Sequence, residues 1–144
     1  RTVKQKLNPI DIEFNNKNVL LVDDSIVRGH TSKRIIQMVK NSGAKKVYFA
    51  SASPPIRFQN IYGIDMPATK ELIAHKRTIA QIKKAISADE LIYQNLGDLK
   101  MAAHIGNPKI KEFEDSVFTG QYNVGTVTKE FLSSLEKSRL DSKR

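Results

Sequence analysis

The spacing of apolar positions changes from element to element along the 144-residue chain. Residues 1–18 are polar and carry turn signals at Asn8-Pro9 and Asn15-Asn16. Val19-Leu20-Leu21-Val22 is then an unbroken apolar run that stops at Asp23. That pattern predicts a strand buried on both faces, inside a parallel sheet. From Thr31 the period becomes helical: Ile35, Met38 and Val39 share a face, with Ile36 beside them. Thr31 or Ser32 can cap this helix, and Gly43 can end it. Val47-Tyr48-Phe49-Ala50 reads as the next strand. Strand, helix and strand in about 30 residues make a βαβ unit.

Residues 51–67 read as a long loop with Pro54-Pro55 and a weak strand candidate near Ile61. Thr69–His75 has room for one or two helical turns. Thr78 and Gln81 form a capping box, after which Ile79, Ile82 and Ile86 are expected to line one helix face. Leu91-Ile92-Tyr93 reads as a short strand, and Asn95 can cap a helix carrying Leu99, Ala102 and Ala103. Asn107-Pro108 breaks that helix. Residues 113–127 read as irregular, Thr128 starts a last helix with Phe131, Leu132 and Leu135, and residues 137–144 are expected to fray. The division this suggests is residues 1–107 for the main α/β portion and 108–144 for a C-terminal segment with a terminal helix.

Composition narrows the function. Forty per cent of residues are apolar, near the globular norm, which argues against disorder. No apolar run approaches the roughly 20 residues of a membrane span, so no membrane role is expected. Cysteine is absent, which excludes disulfides, thiolate metal sites and a cysteine nucleophile within this stretch. The chain opens on Arg1 with neither Met nor a signal-peptide pattern. The net charge is +9, and its excess lies early: residues 1–50 hold ten basic and four acidic side chains. Lys4, Lys6, Lys17, Arg28, Lys33 and Arg34 carry much of it. A basic surface for nucleic acid, a pocket for a small polyphosphate and plain solvated lysines all fit that charge.

The chemistry concentrates in residues 19–32, VLLVDDSIVRGHTS. Ligands of open α/β sheets bind beyond the carboxyl ends of strands, which is where Asp23 and Asp24 fall. Adjacent carboxylates can accept hydrogen bonds from a vicinal diol, or hold a hydrated Mg²⁺. Gly29 permits close backbone approach. Thr31 and Ser32 offer hydroxyls and N–H groups at a helix N-terminus, where a phosphate is favoured. One loop thus has a diol-and-metal half and a phosphate half, as a ribose 5-phosphate ligand requires. A Walker A loop is excluded, since no Gly-x-x-x-x-Gly-Lys-Ser/Thr occurs.

VLLVDDSIVRGHTS resembles the phosphoribosyl pyrophosphate loop of type I phosphoribosyltransferases. KQKLNP before it, then SGAKKVYFASASPPIRFQNIYGIDMP, ELIAH and SVFTGQY, are similar to one branch, the glutamine phosphoribosylpyrophosphate amidotransferases. The resemblance covers residues 1 to about 123. It implies an α/β, type I phosphoribosyltransferase fold: a parallel sheet flanked by helices, of which this chain holds the C-terminal portion. It implies a glycosyltransferase that uses phosphoribosyl pyrophosphate, glutamine and water to make 5-phosphoribosylamine, pyrophosphate and glutamate, the first step of purine synthesis. It also implies Mg²⁺, purine nucleotide inhibitors, a homo-oligomer and a cytoplasmic location. Carried over by position, Asp23 and Asp24 bind metal and ribose hydroxyls. Ser25, Val27, Arg28, Gly29, His30, Thr31 and Ser32 complete the substrate loop. Lys4 and Lys6 resemble the end of a mobile loop that closes over pyrophosphate.

Departures matter too. His30 stands where Thr or Asn is usual. Glu114-Asp115 stands where some members place a cluster cysteine, so no iron–sulfur cluster is expected. The glutaminase domain with its catalytic Cys, and the early transferase strands, have no counterpart here. The chain therefore reads as the C-terminal piece of a longer enzyme, with no catalytic residue of its own and no activity alone.

Two rival readings use the same residues. LLVDDS also resembles the start of a response-regulator receiver, and Asp65-Met66-Pro67 its phosphoacceptor segment. The spacing between that Asp and Met-Pro is wrong, and no Lys-Pro follows. A phosphoribosyltransferase-fold transcription regulator would exploit the basic charge, yet no aromatic-interleaved basic patch or recognition helix supports binding to nucleic acid.

Overall fold

A three-stranded parallel sheet organises the molecule, in the order β1-β2-β3. The computed structural model describes residues 11–141. Its elements are α1 (Asp11–Phe14), β1 (Asn18–Asp23), α2 (His30–Asn41), β2 (Lys46–Ser51), a 3₁₀ turn (Thr69–Glu71), α3 (Ile79–Ile86), β3 (Glu90–Tyr93), α4 (Leu96–Gly106), α5 (Ser116–Thr119) and α6 (Lys129–Asp141). Both βαβ crossings run through a helix, β1-α2-β2 and β2-α3-β3. The register pairs Asp23 with Ser51 and Ser51 with Tyr93, so the strands reach one edge together.

The core lies on one face of the sheet. Val47, Phe49 and Leu91 meet Ile36 and Val39 of α2 and Ile82 and Ile86 of α3. Phe49 is 1% exposed, and Ile36, Ile82 and Ile86 are fully buried. The period-2 pattern of β2 gives its inward residues, and the 3.6-residue period of the helices gives theirs. Asp89 ties the frame together. Its Oδ2 accepts from the Val47 N–H at 2.7 Å and faces Lys40 Nζ at 3.1 Å. The Val47 hydrogen bond, aided by Lys40, holds its carboxyl below the ordinary value.

Several expectations change. β1 is not buried on both faces: Leu20 is 56% and Val22 71% exposed. Both sit on the face away from α2 and α3, in line with Tyr48 and with Ala50 and Ile92. Among the described residues no layer covers that face, and β1 is one of the sheet's two edge strands. Helix α2 begins at His30 rather than after a Thr31 or Ser32 cap, because Gly29 in the left-handed region takes the N-cap position. The Thr78 capping box forms, with Thr78 Oγ1 accepting from Gln81 N and Gln81 Oε1 accepting from Thr78 N. Ile79, however, is 46% exposed, since it lies in the first turn beyond the edge of the packed stripe. No strand forms near Ile61, α5 interrupts the stretch expected to be irregular, and α6 stays helical to Asp141. Asn95 caps α4 as expected, its Oδ1 accepting from the N–H groups of Gly97 and Asp98.

Candidate functional site

Beyond the carboxyl end of β1 the chain turns into α2 through residues 24–29. Ile26, 2% exposed, plugs this loop into the core, and the Val27 carbonyl accepts from Ile73 N at 2.8 Å. Asp23 Oδ1 accepts from the Asp24 N–H at 3.0 Å, and Asp24 Oδ1 accepts from Ser25 Oγ at 3.2 Å. Arg28 Nε lies 3.4 Å from Glu71 Oε1. These contacts give the loop one shape while Asp24 stays exposed.

Gly29 is required twice over. Its φ of 77° lies in the left-handed region, and a Cβ there would collide with the Ile73 side chain. The turn it makes leaves α2 without a side-chain cap. The first N–H groups of a helix have no intrahelical partner, so the α2 N-terminus keeps free donors and a partial positive charge. Ser32 is buried in the first turn, and Thr31 and His30 are exposed.

Asp23, Asp24, Ser25, Val27, Arg28, Gly29, His30, Thr31 and Ser32 line one cleft of about 450 Å³. The structure thus brings together every residue singled out in the loop from sequence. His30, which stands where Thr or Asn is usual, lines the cleft with the rest. Among the described residues neither Asp23 nor Asp24 is ion-paired. Two free carboxylates of the all-oxygen type suit a hard cation that keeps most of its waters, which is how Mg²⁺ binds. No larger group of His, Cys, Asp and Glu that could cage a metal occurs among the described residues. Lys4 and Lys6 lie outside the described residues.

Sequence reasoning missed the partners that hold the loop from behind. Glu71 and Ile73 come from a segment over 40 positions further on, and only the ELIAH resemblance marked it. It also missed a second, larger cleft of about 590 Å³ beside α4, lined by Lys100, His104, Lys111, Glu112, Asp115 and others. Two of its charges are paired with each other. Lys100 pairs with Asp115, which holds that carboxyl below its ordinary value, and His104 Nδ1 sits 2.8 Å from the Ile110 carbonyl. At the Glu114-Asp115 positions, Glu114 Oε1 accepts from Ser116 N and Asp115 Oδ1 from Thr119 Oγ1. Asp65 is exposed in a loop and not at a strand end, so the receiver arrangement does not form.

No family model matches the chain. Curated relatives do. It is 52% identical over 142 residues, 99% of its length, to amidophosphoribosyltransferase of Pseudomonas aeruginosa. To the amidophosphoribosyltransferase of Escherichia coli K12 it is 54% identical over 141 residues, 98% of its length. The chain spans 28% of the length of each of these relatives. Among solved structures, glutamine phosphoribosylpyrophosphate amidotransferase from B. subtilis, complexed with ADP and GMP, superposes with a TM-score of 0.70 at 32% identity. That match covers 88% of this chain and 29% of the other.

Proposed function

From the premise that the chain belongs to the amidophosphoribosyltransferases, as a C-terminal segment of that family's type I phosphoribosyltransferase fold, we propose that it forms the ribose-phosphate half of such an enzyme's transferase site. The observation that carries this reading is one cleft shared by an acid pair and a helix N-terminus that, among the described residues, have neither an ion-pair partner nor a side-chain cap. The whole enzyme would take phosphoribosyl pyrophosphate and glutamine. Ammonia from glutamine would attack C1 of the ribose, the C1–O bond to pyrophosphate would break, and 5-phosphoribosylamine would form.

This chain's residues would do the holding. The 5-phosphate oxygens accept from the N–H groups and hydroxyls at Gly29–Ser32, where the helix N-terminus favours an anion. Asp23 and Asp24 accept from the ribose 2′ and 3′ hydroxyls and offer oxygens to Mg²⁺. When bound, that ion supplies charge neutralisation for pyrophosphate. Fixing the ribose at two ends holds C1 in one place, which converts much of the entropic cost of the reaction into binding. The glutamine-cleaving nucleophile and the pyrophosphate side of the pocket would come from the rest of the enzyme. That remainder would also cover the open face of Leu20, Val22 and Ile92 and pair the edge of β1. The division at residue 107, a homo-oligomeric state and a cytoplasmic location belong to the same reading. So does inhibition by purine nucleotides, for which the B. subtilis complex with ADP and GMP is the support.

The test is Asp24→Asn in the full-length enzyme. Mg²⁺-dependent phosphoribosylamine formation should fall strongly while glutamine hydrolysis stays measurable. Unchanged phosphoribosyl transfer defeats the assignment.

A further inference from the structure

We propose that Glu136 on α6 is a positioning residue for the binding loop, acting through the Thr69–Glu71 turn; the inference rests on the site reading above. The turn is three residues long and is closed by Glu71 N donating to the Ala68 carbonyl at 2.8 Å and Leu72 N to the Thr69 carbonyl at 3.1 Å. Its leading amides are satisfied from far along the chain. Glu136 Oε2 accepts from Thr69 N at 2.7 Å, and Oε1 from Lys70 N at 3.3 Å.

So held, the turn braces the loop at three points. Glu71 Oε2 accepts from Ala68 N at 3.1 Å, which aims Oε1 at Arg28 Nε. Ile73 N donates to the Val27 carbonyl. The Ile73 side chain fills the space beside Gly29 that only a residue without Cβ leaves open. Val27, Arg28 and Gly29 are the residues that carry the chain from the acid pair to the helix N-terminus. Their geometry sets the distance between the two halves of the cleft.

Glu136 itself is held by few bonds. No residue of α6 is buried. Among its contacts, Gln59 Nε2 donates to the Leu132 carbonyl at 3.0 Å, Arg139 Nη2 to the Asn60 carbonyl at 2.7 Å and Arg139 Nη1 to Gln59 Oε1 at 3.4 Å. A helix attached by polar hooks adds little to the core. Its carboxylate nevertheless ends on the turn behind the binding loop, and that is the positioning role.

The experiment uses the full-length enzyme, with ammonium chloride as nitrogen donor so that transfer is read apart from glutamine cleavage. Glu136→Ala should raise KM for phosphoribosyl pyrophosphate about five- to tenfold, with kcat within about twofold. Glutamine hydrolysis should be unchanged, and Glu136→Asp should recover part of the loss. Glu71→Gln combined with Glu136→Ala should be less than additive, because both act on one turn. Glu136→Gln, which keeps the size and one acceptor, serves if the alanine variant does not fold, and should give an intermediate KM. An unchanged KM in a folded Glu136→Ala or Glu136→Gln variant, alongside a defective Asp24→Asn, overturns the positioning role alone. An Asp24→Asn variant with normal transfer overturns the site reading and this inference with it.

Discussion

In residues 18–91, side chains such as Phe49, Ile82 and Ile86 are removed from water and packed against one another. In residues 96–141, neither α4 nor α6 buries a residue, and Met101, Ile105 and Phe131 are about half exposed or more. The second region is attached by Glu136, Arg139, the Val117 carbonyl, which accepts from Arg57 N and Phe58 N, and the Tyr122 hydroxyl, which donates to the Gln59 carbonyl at 2.8 Å. The difference teaches where each property resides. Apolar burial is non-directional and gives stability roughly in proportion to area. Hydrogen bonds contribute little net stability but demand geometry. The first region accordingly builds the platform of the site, and the second adjusts the turn that braces it.

The largest effect that separates the regions should come from Phe49→Ala. Deleting a fully buried ring should cost about 3–5 kcal/mol of unfolding free energy in a denaturant titration. Phe131→Ala, at a site 49% exposed, should cost well under about 1 kcal/mol. Equal costs would erase the comparison.

Gly29→Ala tests whether the core also dictates the site. Left-handed backbone at a residue with a Cβ costs about 1–3 kcal/mol, and the collision with Ile73 adds to it. Calorimetry should show lost binding of ribose 5-phosphate as well as a lowered melting temperature. A variant that melts normally and binds normally would mean the loop is not wedged against Ile73.

Thr31→Ala leaves the core untouched. It should weaken binding of a 5-phosphate ligand by about 1.5–3 kcal/mol, the range for one hydrogen bond to a charged group, with no change in melting.

The smallest effect should be electrostatic and confined to the second region. The Lys100 ammonium, assisted by Thr119, holds the Asp115 carboxyl below its ordinary 3.8. A depressed folded pKa contributes stability that is complete above the unfolded value and is lost as pH falls through the folded one. Amide exchange in residues 113–122 should therefore quicken below about pH 4 before the sheet loosens. Asp115→Asn should remove that acid step. A step that persists in the variant would assign it to another group, such as Glu114.

How much was legible in sequence follows from the range of each interaction. The strand, the acid pair and the helix that follows them are written within 14 consecutive residues, VLLVDDSIVRGHTS. Local periodicity and strand-end chemistry act over that distance and point to Asp23, Asp24, Gly29, Thr31 and Ser32; the family resemblance added Ser25, Val27, Arg28 and His30, and all nine line the cleft. The Thr78 box and the Asn95 cap were legible for the same reason, since a cap spans three residues. The start of α2 was not. Thr31 and Ser32 are good capping residues, but Gly29 is pressed against Ile73, 44 positions later, and that contact decides the turn. The burial of β1 was not legible either, because an apolar run reports only that both faces can be buried. Which strands and layers lie beside it is a property of the assembled sheet. The sequence by itself determined the elements, their order and the chemistry of the loop, because these depend on neighbours along the chain. Only the tertiary structure decided which sheet face packs, what braces Arg28 and Gly29 from behind, and where Glu136 ends. Those depend on residues that meet after tens of positions, and no local pattern encodes such a meeting.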